Sequence, residues 1–274
     1  MKKILKELIP PILISAIKRQ RSARSPLFDS YQAALDSCDA RGYRGSDVVS
    51  VVVQKNLVYR EKIRSSRVLG LDSLRAIVGL GALGSHSSLK VLDFGGGGGT
   101  HYSIARAVLG KEKDIRWNVV ETDAMAAAAE PELAGEGLKF FDDIGKAVAD
   151  LGDVDLVFTS GALQYTPDPL AFLADLISVK APHLFITRTA FNDADDVVIS
   201  VQTSMLSSNG PGPLPAGFKD REIRYPITFS GKAQAEWLLR DSYEIRFFVE
   251  EDRDEYSVHG KPFHLYGYFC DLKK

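Results

Sequence analysis

The sequence predicts an α/β fold, a mostly parallel sheet preceded by a helical amino-terminal extension. Three observations carry that prediction. From Leu89 onward, short apolar runs alternate with helix-compatible stretches, the rhythm of a parallel sheet. The first run, Val91-Leu92-Asp93-Phe94, passes directly into five consecutive glycines, Gly95 to Gly99, and then into a helix-compatible stretch, Ser103 to Leu109, that Gly110 is placed to stop. The run from Val154 to Ser160 is mostly apolar, which suits the centre of a sheet.

The elements follow in chain order. Lys2, Lys3, Lys6, Lys18, Arg19, Arg21 and Arg24 stand against one acid, Glu7, while Leu5, Leu8, Ile9, Ile12, Leu13, Ala16 and Ile17 keep the spacing of one helical face. Pro10 and Pro11 fit only a first turn, so a helix restarts there. Such a basic amphipathic helix suits either peripheral contact with an anionic membrane or packing on the chain's own body or a homodimer partner. Packing is the reading favoured here. Residues 27 to 85 read as helical: Phe28, Tyr31, Ala34 and Leu35 have helix spacing, and Arg41 to Gly45 breaks the chain. Val48 to Val58 fits helix or strand. Leu69, Leu71, Leu74, Ile77, Val78 and Leu83 suit a helix leading towards the core. The expected division is an extension over 1–85 and a domain over 86–274.

Within the domain, Trp117 to Val120 reads as the second strand and ends at Glu121. Leu138 to Phe141 reads as the third and runs into Asp142 and Asp143. After the fourth strand, Gly161 to Tyr165 crosses the carboxyl edge of the sheet, where open α/β sheets hold ligands. Asp168 and Pro169 look like an N-cap and first helical residue, with Leu170, Leu173, Ala174 and Ile177 as the buried stripe. His183 to Arg188 reads as the fifth strand, and Tyr243 to Val249 and Phe263 to Cys270 as a final pair. Between them Ala190 to Ser230, with Asn209-Gly210-Pro211-Gly212-Pro213-Leu214-Pro215, shows turn chemistry and little periodicity. It reads as a long loop capping the substrate pocket.

Composition narrows the function classes. A chain of 274 residues can bury one large core, and a net charge of −2, from 36 acids against 34 bases, argues against bulk nucleic-acid attraction. Cys38 and Cys270 lie far apart and read as unpaired thiols in a reducing cytoplasm. The longest apolar run, Leu8 to Ile17, is about half the roughly 20 residues of a spanning helix. The expected location is therefore cytoplasmic, membrane-peripheral if the amino-terminal helix engages lipid. His86, His183, His259 and His264 lack metal-type spacing, and no metal site is expected.

The glycine run decides which ligand to expect. A dinucleotide fingerprint needs Gly-x-Gly-x-x-Gly or a final Ala. Counting from Gly95, Gly96 or Gly97, the sixth position is Thr100, His101 or Tyr102, so no register completes it, which disfavours a nicotinamide-dependent oxidoreductase. Asp93-x-Gly95-x-Gly97-x-Gly99 does fit, and it resembles the first motif of class I S-adenosylmethionine (SAM)-dependent methyltransferases. Together with Ser160-Gly161-x-Leu163-Gln164-Tyr165-x-x-Asp168-Pro169 and Ile186-Thr187-Arg188-Thr189, it looks like a bacterial methyltransferase family, assigned from sequence and often associated with surface-polysaccharide gene clusters. The likeness covers roughly residues 28 to 270, with its motifs between about 91 and 190.

That resemblance implies a Rossmann-like sheet whose last strand is antiparallel, and SAM as cofactor. It implies that the cofactor lies against Asp93, Phe94, Gly95, Gly96, Gly97, Gly99, Tyr102 and Ser160, with Asp93 at the methionine end. Glu121, 22 residues beyond Gly99, stands where a carboxylate binds ribose hydroxyls, with Asp123 as its rival. Asp142 or Asp143 would bind the adenine amino group, although Asp143 equally suits an N-cap. Methyl transfer to a hydroxyl needs aligned reactants and removal of a proton. His101 is the candidate base, or else a helix-start histidine touching cofactor or backbone; Tyr165 reads as an aromatic wall, and Arg188 as a fork suited to an anionic substrate or to an internal ion pair. Gln164 lies at the same edge. The expected reaction is O-methylation of a small or carbohydrate-like acceptor. A catalytically silent SAM-binding or membrane-recruited partner protein is the non-enzyme alternative.

Overall fold

Strand β2 (Ser88–Phe94) lies at the centre of a sheet whose register shows how the sequence folds. In the computed structural model, which describes residues 26–38, 42–66, 68–84, 87–251 and 256–274, it pairs in parallel with β3 (Asp114–Val120) and β5 (Leu156–Ser160). Outward from these lie β4 (Leu138–Phe141) beside β3 and β6 (His183–Asn192) beside β5, both parallel. Strand β11 (Lys261–Leu272) runs antiparallel to β6 and to β9 (Tyr243–Glu250), and β10 (Tyr256–Val258) forms a hairpin with β11. The sheet is α/β and mostly parallel, as the sequence predicts, and its last strand is antiparallel. The basic segment 1–24, Arg41 and His86 lie outside the described residues.

Period-two side-chain direction divides the core into two layers. Val91, Val119, Leu156, Phe158, Phe185 and Phe269 face one cluster, and Leu92, Val120, Val157, Leu184, Ile186 and Tyr268 face the other. After the short helix α1 (Tyr31–Asp36), four helices cover the first layer: α2 (Ser46–Ser66), α3 (Leu74–Ala82), α4 (Thr100–Leu109) and α5 (Asp123–Leu133). The second is covered by α6 (Ile144–Leu151), α7 (Pro169–Ser178) and α8 (Lys232–Ser242). With both faces covered, the inner strands carry continuous apolar runs, and Trp117 and Phe158 are almost wholly buried. The undecided stretch Val48 to Val58 is helical. Val48, Val49, Val51, Val52 and Val53 pack into the first layer, so burial overrides their strand propensity.

Caps appear where the sequence places them. Asp168 accepts from the amides of Leu170 and Ala171 ahead of Pro169, and Asp143 accepts from Lys146 N–H at the start of α6. The expected long loop over 190–230 is corrected. Val198–Met205 (β7) and Glu222–Gly231 (β8) form an antiparallel pair, β1 (Leu27–Phe28) adds to β7, and β8 joins β6 at Ser230 and Gly231. Pro226 speaks against a strand because it has no N–H. It is tolerated because β8 pairs with β6 only at its end, leaving Pro226 with a ladder partner on the β7 side alone. What remains outside the strands is 193–197 and 206–221, the latter opening on a short 3-10 turn, Leu206–Ser208.

Candidate active site

A cavity of about 2540 Å³ opens at the carboxyl ends of the parallel strands, where such sheets place their ligands. The turn after β2, Glu121 after β3, Asp142 and Asp143 after β4, and Ser160 and Tyr165 at β5 all line it, as does Arg188 in β6. Helix α2 and the β7–β8 hairpin close the other side with Val52, Lys55, Asn56, Gln202 and Tyr225.

The glycine turn explains its own motif. Gly95, Gly97 and Gly99 take φ of +71°, +58° and +78°, so every second glycine is left-handed and the Asp-x-Gly-x-Gly-x-Gly spacing is the period of that turn. The intervening glycines make room. A Cβ on Gly96 would lie 2.5 Å from Asp93 Oδ2, and one on Gly98 would lie 2.5 Å from Asn56 Nδ2. Gly97 differs, because its Cβ would meet only Val52 Cγ1 at 3.8 Å, so the turn faces open space there. Gly97 N–H donates to Glu121 Oε1 at 3.0 Å, and Thr122 N–H donates to Oε2 at 3.0 Å. An ionised carboxylate has about four lone-pair sites, so each oxygen can still accept another donor. Burial raises the Glu121 carboxyl above the usual range; the two amides pull it back, and the nearby Asp93 charge adds to the rise.

Three residues expected against the cofactor, Asp93, Tyr102 and Gly99, do not line the cavity. Asp93 is fully buried under Gly96, where Oδ2 accepts from Trp117 Nε1 at 2.9 Å and bonds His101 Nδ1 at 3.0 Å. Its Oδ1 has no hydrogen-bond partner among the described residues. Tyr102 is 3% exposed, packs against Trp117 and donates its hydroxyl to the Glu136 carbonyl, because its place on α4 turns it to the core. Gly99, by the same test, faces Leu138 and Phe140 rather than the cavity. Phe94, Gly95, Gly96, Gly97, Glu121, Asp142, Asp143 and Ser160 do line it. Asp142 is paired with Lys146, which holds its carboxyl below the ordinary range. Asp123, the rival acid, pairs with Arg44 at 3.4 Å.

The candidate reactive residues separate clearly. His101 lines the cavity with its ring edge on Phe158, and Asp93 engages Nδ1. A proton on Nδ1 then leaves the Nε2 lone pair for a substrate. Tyr165 packs edge-on against Tyr43 and Tyr225 and donates to Gln202 Oε1 at 3.0 Å. Burial, with the neighbouring Tyr225 phenol, pushes its own phenol up to about 12 against the opposing influence of Arg188. Arg188 has φ +54°, and its guanidinium makes no hydrogen bond or ion pair among the described residues. Gln164 is buried, and its amide donates to the Arg188 carbonyl at 3.2 Å. Among the described residues, no group of three or more His, Cys, Asp or Glu side chains is placed to hold a metal ion. No helix among them is long and apolar enough to cross a membrane. Cys270 is buried, Cys38 is half-buried and donates to the Ala34 carbonyl, and the two are not joined in a disulfide.

Sequence reasoning missed the contribution of α2. Lys55 Nζ donates to the carbonyls of Ser207, Asn209 and Gly210 at 2.7, 2.8 and 3.3 Å, tying the 206–221 segment to the helix. Asn56 Oδ1 accepts from Thr100 Oγ1 at 2.7 Å, behind the glycine turn. The only sequence signal is a polar triplet, Gln54, Lys55 and Asn56, directly after the valine run.

No family model and no curated protein matches this sequence. Among solved structures, the chain is similar to the N-terminal domain of EvdMO1 with SAH bound, at 16% identity over 75% of this chain and 83% of that one, with a TM-score of 0.46. It is similar to a S-adenosylmethionine-dependent methyltransferase from Clostridium acetobutylicum ATCC 824, at 12% identity over 81% and 98%, with a TM-score of 0.48. A third is the glycopeptide N-methyltransferase MtfA complexed with SAM, at 11% identity over 74% and 87%, with a TM-score of 0.44.

Proposed function

We propose that this chain is a SAM-dependent methyltransferase that O-methylates a small or carbohydrate-like acceptor. The observation that carries the reading is the bond from Gly97 N–H to Glu121 Oε1. It sets a carboxylate with acceptor capacity to spare beside a glycine turn that faces open space, which suits a ribose lying over the turn. The remaining lining residues fit the same molecule. Gly95 to Gly97 would pass beneath the methionine and ribose, Phe94 and Ser160 would flank them, and Asp142 or Asp143 would meet the adenine amino group. When bound, SAM supplies an electrophilic sulfonium methyl.

The protein's own part in the reaction is proton transfer and positioning. The acceptor hydroxyl gives its proton to His101 Nε2. Asp93, bonded to Nδ1, orients the ring and balances the positive charge it gains, so it acts through His101 rather than on the cofactor. Tyr165 and Tyr225 meet edge to face as an aromatic corner of the cavity, and Gln202 lines it next to them. Aromatic and amide groups of this kind suit a hydroxyl-rich ring.

Titration calorimetry tests the cofactor. SAM or its demethylated product SAH binds and NAD does not, and Gly97→Val abolishes the binding, because a branched side chain at φ +58° would fill the open face of the turn. NAD binding without a response to SAM or SAH would overturn the proposal.

A further inference from the structure

Arg188 sits in a backbone irregularity that fixes it on every side but one. Between the pairs Tyr266↔Thr189 and Tyr268↔Ile186 the β6–β11 register shifts, so Thr187 and Arg188 together oppose Gly267. Such a bulge re-aims one side chain, and the cost here is a non-glycine residue at φ +54°. Both backbone polar groups of that residue are held. Its N–H donates to Glu251 Oε1 at 2.6 Å, and its carbonyl accepts from Gln164 Nε2 at 3.2 Å. The same Glu251 oxygen takes the Thr187 hydroxyl at 2.5 Å, and Oε2 pairs with Arg75. With its side chain only 5% exposed, Glu251 is a buried brace whose charge Arg75 balances. Gly267 makes the brace possible, since a Cβ there would lie 3.0 Å from Glu251 Oε1.

A strained residue braced at both backbone ends, with a cationic head that lines the cavity and has no partner among the described residues, is arranged to receive something. The head also has space, because it runs beside Gly161, where a Cβ would stand 3.6 Å from Arg188 Nε. We propose that Arg188 is the acceptor's oxyanion subsite: the molecule that is methylated carries a carboxylate or a phosphate, seated on the guanidinium fork. Glu251 is its positioning residue. Bidentate geometry favours planar arginine over lysine for either oxyanion. The inference rests on the methyltransferase reading for the word acceptor, but not for the anion site itself.

The test uses the full chain, with and without SAH, and three probes on one scaffold: D-glucuronate, D-glucose 6-phosphate and D-glucose. Saturation-transfer NMR and calorimetry should show at least one of the two anions binding while glucose does not. Whichever anion binds identifies carboxylate or phosphate. Arg188→Gln should weaken anion binding at least tenfold, with SAH affinity unchanged. Arg188→Lys should recover part of the loss. Glu251→Ala should weaken anion binding several-fold, and Glu251→Gln, which keeps the carbonyl oxygen that Arg188 N–H and Thr187 need, should restore most of it; a merely structural role would not discriminate between anion and SAH. The proposal fails if neither anion binds, if glucose binds as well as the anions, or if Arg188→Gln leaves binding intact. Loss of SAH binding by the unmodified protein would instead count against the methyltransferase reading.

Discussion

On the cavity wall made by the ends of β2, β3 and β4, contacts join residues close in the chain: His101 to Asp93 across 8 positions, and Gly97 to Glu121 and Trp117 to Asp93 across 24. On the opposite wall Tyr31 reaches the Tyr165 carbonyl across 134 positions, Lys55 reaches Asn209 across 154, and Arg75 reaches Glu251 across 176. The first wall is largely backbone, shaped by alternating left-handed glycines and one carboxylate. The second is side chains gathered from both ends of the described chain. A wall built locally from backbone needs particular residues at particular spacings and so leaves a motif. A wall assembled at long range needs only that the fold bring suitable groups together, and each group keeps an ordinary sequence neighbourhood.

The comparison can be broken most directly at the residue that stands between the walls. His101→Ala should slow methyl transfer by about 10²–10⁴-fold, the usual contribution of a positioned acid–base group, while SAH affinity stays unchanged. An equal loss of SAH affinity would assign the histidine to the cofactor wall and remove it from proton transfer.

A smaller effect sharpens the assignment of the local wall. Glu121→Ala should weaken SAH binding by about 1–3 kcal/mol in calorimetry, leaving circular dichroism unaltered. Protonation should mimic the substitution. The ionised carboxylate is the form that accepts hydroxyls, and burial raises its pKa above the usual value of glutamate. As pH falls, SAH affinity should therefore decline earlier than an ordinary glutamate would dictate, and the alanine variant should lack that step. A pH-independent affinity in the unmodified protein would move the ribose role elsewhere.

The mildest change probes the long-range wall. Lys55→Met removes the donor shared by three carbonyls and should cost about 1 kcal/mol, a fall in Tm of about 2–4 °C by thermal scan, with SAH binding untouched. Burial already lowers the Lys55 ammonium pKa from its usual value, partly offset by Asp220, so its hydrogen bonds hold a charge that is costly to bury. Altered SAH affinity would show that the two walls are coupled through α2.

How much was legible follows the same division. The strand Leu138–Phe141 and the caps at Asp143 and Asp168 stand where the sequence puts them, because apolar period and cap chemistry act within a few residues. The β7–β8 hairpin was not legible: Pro226 and the proline-glycine run at 210–215 imitate a loop, and the pairing partners that outweigh them are assigned only by the fold. Tyr102 and Gly99 belong to the motif by position yet face the core, since a helix start presents neighbouring residues to opposite sides.

By itself, then, the sequence determined the parallel sheet, the glycine turn and the acid at the end of β3, because each depends on steric rules that operate along a short stretch of chain. Only the tertiary structure decided that Asp93 is sealed beneath Gly96 and bonded to His101, that α2 backs the turn through Asn56, and that Glu251 braces Arg188 across a register shift. Those arrangements depend on which buried polar groups meet when distant segments pack. A buried donor or acceptor must be satisfied wherever the fold places it, and that place is not a property of its sequence neighbours.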